Sequence, residues 1–344
     1  MKQSFINLRI RIPADVSPVK AEADPEGVKV SWSHENHESH YSWKFITNWL
    51  QHDVRKPEHV DFNYWGAEIK DKPPTVTFEE VMRTDSEDGI AKLTSLIRQY
   101  GFAFVDGTPY DDPEQTKKLL ERIAFIRETH YGGFYDFIPD LAKADTAYTN
   151  LALAAHTDTT YFTDPAGLQA FHLLSHTPPP NSPKDAPAEG GESLLVDGFH
   201  AARILYEEDR AAYEVLHSVK LPWHASGNQG ITIAPDKRYP VLEVDDSTSD
   251  LHTLHRVRWN NDDRGVVPFD AGISPTQWYE AARKWSSILK RKDVEYWVQL
   301  TPGRPLIFDN WRVLHGRSAF EGLRRICGGY SRPTLISGET IRHD

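Results

Sequence analysis

Three residues and a pair of arginines carry side chains that could hold a metal ion and an anion. His156 and Asp158 stand two residues apart in LAAHTDTTYF, and His315 follows far downstream in DNWRVLHGR. Two histidines and one carboxylate form the facial triad that holds non-haem Fe(II) and leaves positions open for substrate and oxygen. The pair Arg324–Arg325 comes next, and an arginine offers a carboxylate-bearing reactant a planar fork of donors. The pattern therefore predicts an oxygenase.

Each of these motifs also has a plainer explanation. A histidine two residues before an aspartate can be an ion pair near a turn, and His315 can be a hydrogen-bonded histidine at a strand end. Arg324 and Arg325 could both be solvated. If they lie on a strand, however, one of them faces the interior, where a charge without an anionic partner is costly. The positions together, rather than any one alone, support the iron-dependent hypothesis.

A second group consists of aromatic side chains near these positions in the sequence. Several tyrosine faces that converge on one point would bind a quaternary ammonium group by cation–π attraction. Tyrosines are also common core and surface residues, and the sequence alone does not bring the four together. The candidates are Tyr131, Tyr135, Tyr148 and Tyr330.

Composition narrows the class of protein. A chain of 344 residues is long enough for one large catalytic domain and a small appendage. The net charge of −11 argues against a nucleic-acid partner, which needs a basic face. The single cysteine, Cys327, excludes a disulfide framework. No stretch approaches the 18 apolar residues of a membrane span, and no targeting signal is evident, so we expect a cytoplasmic protein.

The pattern of elements predicts two domains, 1–75 and 76–344. In the first, LRIRI and GVKVSW alternate like strands, and YSWKFITNWLQH is a short helix candidate. The stretch Asp71–Phe78 has tandem prolines and is the predicted linker. In the second, Asp112 and Pro113 mark a helix start, and Gly101 marks a helix end.

The larger domain is predicted to be an α+β protein built around a β-sandwich or jelly roll. Helical segments come first and recur between short strands that are separated by turns. The predicted strands are GLQAFHLL, ESLLVDG, VEYWVQL, RPLIFD and RICGGYS, and a later helix is PTQWYEAARKWSSILKRK.

Several longer motifs resemble one known family. HTDTTYF, GGESLLVDGF, DNWRVLHGRSAFEGLRRICGGY and the upstream DTAYTN are similar to the Fe(II)/2-oxoglutarate-dependent dioxygenases of carnitine biosynthesis. The likeness runs from LRIRIPADVSP to GGYSRP. It implies a double-stranded β-helix (jelly-roll) core with flanking helices, preceded by a small β-rich N-terminal domain.

The resemblance also implies roles for individual residues. His156, Asp158 and His315 match the iron ligands of the family. Arg324, rather than Arg325, matches the arginine that binds the distal carboxylate of 2-oxoglutarate, and Ser193 in GGES matches a hydroxyl that assists it.

The same comparison implies a substrate site. Tyr131, Tyr135, Tyr148 and Tyr330 match a trimethylammonium cage, although relatives have tryptophan where this chain has Tyr135. Tyrosine keeps a smaller π face there. Asn260, in RWNND, matches a position that contacts the carboxylate end of the substrate.

The implied reaction is hydroxylation of N6,N6,N6-trimethyllysine at carbon 3, the first step of carnitine biosynthesis. It consumes O2 and 2-oxoglutarate, yields succinate and CO2, and implies Fe(II) with ascorbate as reductant. Asp262 or Asp263 could receive the α-ammonium of this substrate, although both could be solvated loop residues. The alternatives are hydroxylation of γ-butyrobetaine and an inactive trimethylammonium-binding module. A homodimer is compatible with the family.

One departure concerns the N-terminal domain. Relatives carry a zinc site made from a cysteine cluster and one histidine, and here His40 in SHYSW stands at the histidine position without the cysteines. A four-ligand site without three thiolates is not expected to hold structural zinc. We therefore expect a shortened N-terminus, and a mitochondrial location is the alternative if the N-terminus is incomplete.

Overall fold

The structure, a computed structural model, forms two compact units, Met1–His59 and Val60–Asp344. It describes residues 13, 15–50, 62–138, 150–183, 186–225, 230–244 and 254–331. Among the helices of this described part, none is long and apolar enough to cross a membrane.

The first unit contains an antiparallel three-stranded sheet and one helix. The strands are β1 (Pro18–Ala23), β2 (Gly27–Trp32) and β3 (Glu38–Ser42), in that order, and helix α1 (Trp43–Leu50) follows. The Asp24 carboxylate accepts hydrogen bonds from the backbone N–H groups of Glu26 and Gly27, which closes the first hairpin. The predicted strand GVKVSW and the short helix are confirmed, whereas LRIRI lies outside the described residues. His40 lies 3.5 Å from the Asp24 carboxylate.

The second unit mixes strands and helices along the chain. A 3-10 helix (Ala67–Asp71) comes first. The described strands are β4 (Thr75–Thr77), β5 (Phe102–Asp106), β6 (Tyr135–Phe137), β7 (Leu153–His156), β8 (Leu168–Thr177), β9 (Ser193–Asp197), β10 (Leu242–Val244), β11 (Leu254–Val257), β12 (Tyr296–Val298), β13 (Leu306–Asp309), β14 (Val313–Arg317) and β15 (Leu323–Ser331). The helices are α2 (Phe78–Met82), α3 (Asp88–Tyr100), α4 (Pro113–Ile123), α5 (Gly198–Glu208), α6 (Arg210–Ser218) and α7 (Pro275–Leu289).

Two sheets of this unit form a jelly-roll core. One has four strands in the order β12-β9-β14-β7, and the other has six in the order β4-β5-β13-β8-β15-β6. Strands distant in sequence are neighbours, as β13 and β15 are on either side of β8, and nearly all pairs are antiparallel. The predicted α+β fold with a double-stranded β-helix core and flanking helices is confirmed. Strands β10 and β11 form a separate two-stranded sheet.

The second unit begins earlier than the predicted boundary at residue 76. Trp65 is buried, donates a hydrogen bond from its indole N–H to the Tyr100 carbonyl, and packs edge-on against Phe102 at 5.0 Å. The predicted linker Asp71–Phe78 includes β4, which pairs in parallel with β5. Residues before 76 therefore contribute to the core of the second unit, because an aromatic side chain of this size gains most from burial.

Helix ends follow the local sequence signals. The Asp112 carboxylate caps α4, with Pro113 in its first turn, and Gly101 ends α3 with a left-handed backbone (φ 80°). Ser274 is the N-cap residue of helix α7, and its side chain forms a capping box with Gln277. Its apolar stripe is buried as the helical period predicts, at Trp278, Ala281, Trp285 and Ile288.

This stripe gives a stability prediction. Replacing Trp285, which has no exposed surface, by alanine (Trp285→Ala) leaves a cavity and should lower the free energy of unfolding by about 3–5 kcal/mol. Chemical denaturation followed by circular dichroism measures the change. The matched control is Arg283→Ala on the exposed face of the same helix, which should change it by less than about 0.5 kcal/mol. Equal effects of the two substitutions would contradict the packing described here.

Candidate active site

The two histidines of the predicted triad lie opposite each other in the four-stranded sheet. His156 ends β7, and its register partner on β14 is His315. Opposed residues of an antiparallel pair project to the same face, and the two imidazole centroids are 4.4 Å apart. Asp158 follows β7 by two residues. One of its carboxylate oxygens lies 3.3 Å from His156 Nε2 and the other lies 3.7 Å from His315 Nε2.

Asp158 is held in place by a buried amide. The side chain of Asn310 accepts a hydrogen bond from the Asp158 N–H at 2.8 Å and donates to its carbonyl at 3.0 Å. The same amide donates to the Ala166 carbonyl. Between Asp158 and Ala166, Thr159 has a left-handed backbone (φ 57°), which a β-branched residue rarely adopts. The chain therefore turns sharply after Asp158 and leaves its carboxylate beside the two histidines.

Hydrogen bonds and charges prepare the three side chains as ligands. His156 Nδ1 lies 2.8 Å from the Ala154 carbonyl, which favours the tautomer with a free lone pair on Nε2. Burial lowers the pKa of His315 to about 3, which keeps its imidazole neutral. Burial also opposes ionisation of Asp158, but the histidines and the Tyr330 hydroxyl outweigh it and hold its pKa below the usual range. Burial also opposes a charge on His156, but Asp158 outweighs it and raises the pKa of His156, so a bound metal ion would take the place of that proton and leave two neutral imidazoles and one carboxylate.

This donor set fits a ferrous ion. One ligand atom from each of His156, Asp158 and His315 lies within 4.8 Å of the others. Two nitrogen donors and one oxygen donor on a rigid sheet match the facial triad of non-haem iron oxygenases. A close backbone approach supports the arrangement, because a Cβ at Gly316 would lie 2.5 Å from the Leu153 carbonyl oxygen.

The two arginines have different surroundings. Arg325 forms a two-point ion pair with Asp136 and is partly exposed. Arg324 is buried, and its Nε has no hydrogen-bond partner among the described residues. Burial and the nearby Arg317 lower the pKa of the Arg324 guanidinium. Its position therefore favours an anionic ligand.

One cavity of about 1080 Å³ connects the triad with Arg324. Ser193 at the start of β9 lines it, as the sequence predicts for a hydroxyl near the 2-oxoglutarate carboxylate. Ser193 is the register partner of Arg317, so both stand on the sheet that carries His315. The three candidate metal ligands and a buried guanidinium with no ion-pair partner among the described residues thus line one cavity.

Three of the four predicted cage tyrosines line the same cavity. They are Tyr131, Tyr135 and Tyr330, and Tyr148 lies outside the described residues. The Tyr135 and Tyr330 rings meet edge to face at 6.1 Å. Both hydroxyls have partners, because Tyr135 donates to the Ala170 carbonyl and Tyr330 donates to the Asp158 carboxylate at 2.8 Å. Tyr330 therefore contacts the triad as well as lining the cavity.

The loop 259–264 forms another part of the cavity wall, and its Asn260, Asp262 and Asp263 line the cavity. The Asn260 side-chain oxygen accepts a hydrogen bond from the Asp262 N–H. Asp262 is exposed, whereas Asp263 is partly buried and accepts a hydrogen bond from the Thr160 hydroxyl at 2.7 Å. The two aspartates, which the sequence does not separate, thus differ in environment.

The sequence reasoning missed two residues that bind Asp158. One is Asn310, and the other is Gln169, whose amide donates to the Asp158 carboxylate at 2.7 Å. Gln169 carries a usable signal, since it is an amide inside the apolar strand GLQAFHLL. Asn310 carries no such signal, because no sequence pattern in the turn before β14 indicates a contact with Asp158.

Comparison with known proteins gives the class. Residues 55–330 match the taurine catabolism dioxygenase TauD, TfdA family. The fold is also that of the solved structure of AAD-2 in complex with Mn(II) and N-oxalylglycine, with a TM-score of 0.53 at 13% identity. That match covers 75% of this chain and 94% of AAD-2. The chain belongs to the TauD, TfdA family, and it is a dioxygenase.

Within that class, the sequence is similar to proteins named trimethyllysine dioxygenase. The protein from Neurospora crassa is 62% identical, over 95% of this chain and 73% of its own length. The protein from Meyerozyma guilliermondii is 38% identical, over 98% and 84% respectively. The human γ-butyrobetaine dioxygenase is 28% identical, over 87% and 73%.

The contacts of Asn310 give a prediction for metal binding. Replacing it by alanine (Asn310→Ala) leaves the backbone N–H and carbonyl of Asp158 without their partner. We expect the affinity for Mn(II), a redox-stable substitute for Fe(II), to fall roughly 10- to 100-fold. Isothermal titration calorimetry measures it. Asn261→Ala, at an exposed position of the cavity wall, is the control and should bind Mn(II) normally, whereas unchanged affinity in Asn310→Ala would refute the supporting role.

Proposed function

We propose that this dioxygenase hydroxylates N6,N6,N6-trimethyllysine at carbon 3. O2 and 2-oxoglutarate are the co-substrates, and 3-hydroxy-trimethyllysine, succinate and CO2 are the products. The observation that carries the proposal is one cavity lined by the His156–Asp158–His315 triad, three tyrosine rings and the Arg324 guanidinium, whose Nε has no partner in the described part of the chain. The similarity to trimethyllysine dioxygenases supports the choice of substrate.

The triad would hold Fe(II), and Arg324 would pair with the distal carboxylate of 2-oxoglutarate. Bound iron with 2-oxoglutarate and O2 supplies the oxidising power that converts a C–H bond into C–OH while 2-oxoglutarate loses CO2. The protein itself positions and shields the reactants. A two-point contact from Arg324 fixes the orientation of the co-substrate, and the Ser193 hydroxyl lies on the neighbouring sheet to assist it.

The tyrosines would hold the cationic end of the substrate. Tyr131 and Tyr135 line the cavity, and a trimethylammonium group is attracted to aromatic ring faces without needing a hydrogen bond. Tyr330 adds a ring edge near Tyr135 while its hydroxyl orients Asp158. We include Tyr148 in this cage from the sequence motif alone. Fixing the cation in this way decides which C–H bond faces the metal.

The nearest alternative substrate is γ-butyrobetaine, which also ends in a trimethylammonium group. The identity of 28% to a γ-butyrobetaine dioxygenase, against 62% to a trimethyllysine dioxygenase, argues for trimethyllysine. A catalytically silent binding module would not require the assembled triad, the Asn310 support and the buried Arg324 together. Ascorbate as the reductant, a homodimer and a cytoplasmic location remain predictions from the sequence.

A direct assay tests the function. The purified protein with Fe(II), 2-oxoglutarate and ascorbate should release succinate with trimethyllysine at a kcat/KM at least about 10-fold above that with γ-butyrobetaine, a difference of about 1.4 kcal/mol. His156→Ala is the control and should release none above background. A higher kcat/KM with γ-butyrobetaine would contradict trimethyllysine as the substrate. Trimethyllysine-dependent succinate release by His156→Ala would contradict the assignment of the triad as the metal ligands.

The arginine pair gives a second test. Arg324→Ala removes the buried partner of the co-substrate carboxylate and should raise the KM for 2-oxoglutarate at least about 30-fold, since losing a buried charged partner costs 2 kcal/mol or more. Arg325→Ala is the matched control, because Arg325 pairs with Asp136 at the surface, and its KM should stay within about threefold. Succinate release at varied 2-oxoglutarate concentration measures both, and equal shifts would contradict the assignment of Arg324.

A further inference from the structure

The cavity contains a carboxylate that the metal site does not use. Asp263 lines the cavity, and one of its oxygens accepts the hydrogen bond from the Thr160 hydroxyl. Its other oxygen has no hydrogen-bond or ion-pair partner in the part of the chain that the structure describes. Burial raises the pKa of Asp263 to about 7, although the Thr160 hydrogen bond opposes the change. A positively charged ligand would stabilise the ionised form.

The position of Asp263 is coupled to the metal ligands through the backbone. Thr160 lies two residues after Asp158, and its carbonyl is held by the buried Arg258 guanidinium. The loop itself is tied to the same segment, because Thr157 and Trp259 exchange two hydrogen bonds. Asp263 is therefore fixed beside the triad rather than placed at a mobile surface.

Asn260 adds a donor in the same turn. Its oxygen is used by the Asp262 N–H, which orients the amide. Its NH2 group has no hydrogen-bond partner among the described residues, and the Asp263 N–H donates back to the Asn260 carbonyl. One short turn thus offers the cavity both an N–H donor and a carboxylate acceptor, which is what an amino acid head group requires.

We infer that Asp263 binds the α-ammonium group of the substrate, so that this turn, in which the family resemblance already places Asn260 at the substrate carboxylate, selects an α-amino acid over a simple acid. The inference rests on the proposed function and specifies how the substrate is recognised. Carbon 3 of trimethyllysine is bonded to the carbon that bears the ammonium group. The group that binds the ammonium must therefore lie close to the metal ligands, as Asp263 does.

The same geometry predicts discrimination against substrates without the α-ammonium group. Such a molecule leaves the partly buried Asp263 carboxylate without a partner or forces it to take up a proton, and either outcome weakens binding. A suitable probe is 6-(trimethylammonio)hexanoate, which has the chain, the carboxylate and the trimethylammonium group of trimethyllysine but lacks the amine.

The experiment compares Asp263→Asn with Asp262→Asn, its exposed neighbour, on both compounds. We expect Asp263→Asn to lower kcat/KM for trimethyllysine about 10- to 100-fold, mainly through KM. We expect little loss on 6-(trimethylammonio)hexanoate, so the preference of the unsubstituted protein for the amino acid should largely disappear. Asp262→Asn should keep that preference, and the KM for 2-oxoglutarate and the Mn(II) affinity should be unchanged in both variants.

A second pair guards against a folding defect. Thr160→Val removes the hydroxyl that orients Asp263 and should reduce the preference for trimethyllysine, whereas Thr160→Ser should retain it. If Asp263→Asn lowers kcat/KM equally for both compounds, or for neither, the preference for trimethyllysine is unchanged. Either result would overturn the inference while leaving the proposed function intact. If the unsubstituted protein releases no succinate with trimethyllysine, the proposed function fails and the inference fails with it.

Discussion

In the four-stranded sheet, His156 of β7 faces His315 of β14, and the register of this pair determines where the active site can form. Side chains alternate along a strand, so a slip by one residue would turn one histidine away from the other. Asp158 lies beyond the end of β7 and cannot rely on the sheet. Its place depends on Asn310 and on the left-handed turn at Thr159. The sheet thus positions two of the candidate metal ligands, and a hydrogen-bonded turn positions the third.

The charges in the cavity are arranged asymmetrically. Around the triad, Asp158 and Asp263 contribute carboxylates, whereas Arg324 stands close enough to Arg317 for each positive charge to disfavour the other. Keeping like charges buried costs free energy that opposite charges on ligands can offset. A dianionic co-substrate fits the arginine region, and a substrate with ammonium groups fits the acidic one. In the proposed reaction, the charges of the cavity would therefore direct 2-oxoglutarate to the arginine region and the cationic substrate to the acidic region.

The sequence predicts those parts of the structure that local rules determine. Strand alternation implies one buried and one exposed arginine, and the helix caps at Asp112 and Gly101 follow from residue type. The support of Asp158 could not be predicted in this way, because Asn310 reaches it across 152 positions of sequence. The early start of the second unit was missed for a similar reason. Trp65 belongs there through tertiary contacts, and nothing local to DKPPTVTF reveals them.

Strand β15 links the two ends of the cavity. Arg324, Ile326 and Tyr330 line the cavity from this one strand, at positions separated by even numbers of residues. At a rise of about 3.3 Å per residue, Arg324 and Tyr330 lie about 20 Å apart along the backbone, and their side chains reach inward from the two ends. Tyr330 contacts Asp158 directly. A strand that pairs with β6 on one edge and β8 on the other therefore sets the distance between the buried Arg324 guanidinium and the Asp158 carboxylate, which a flexible loop could not hold constant.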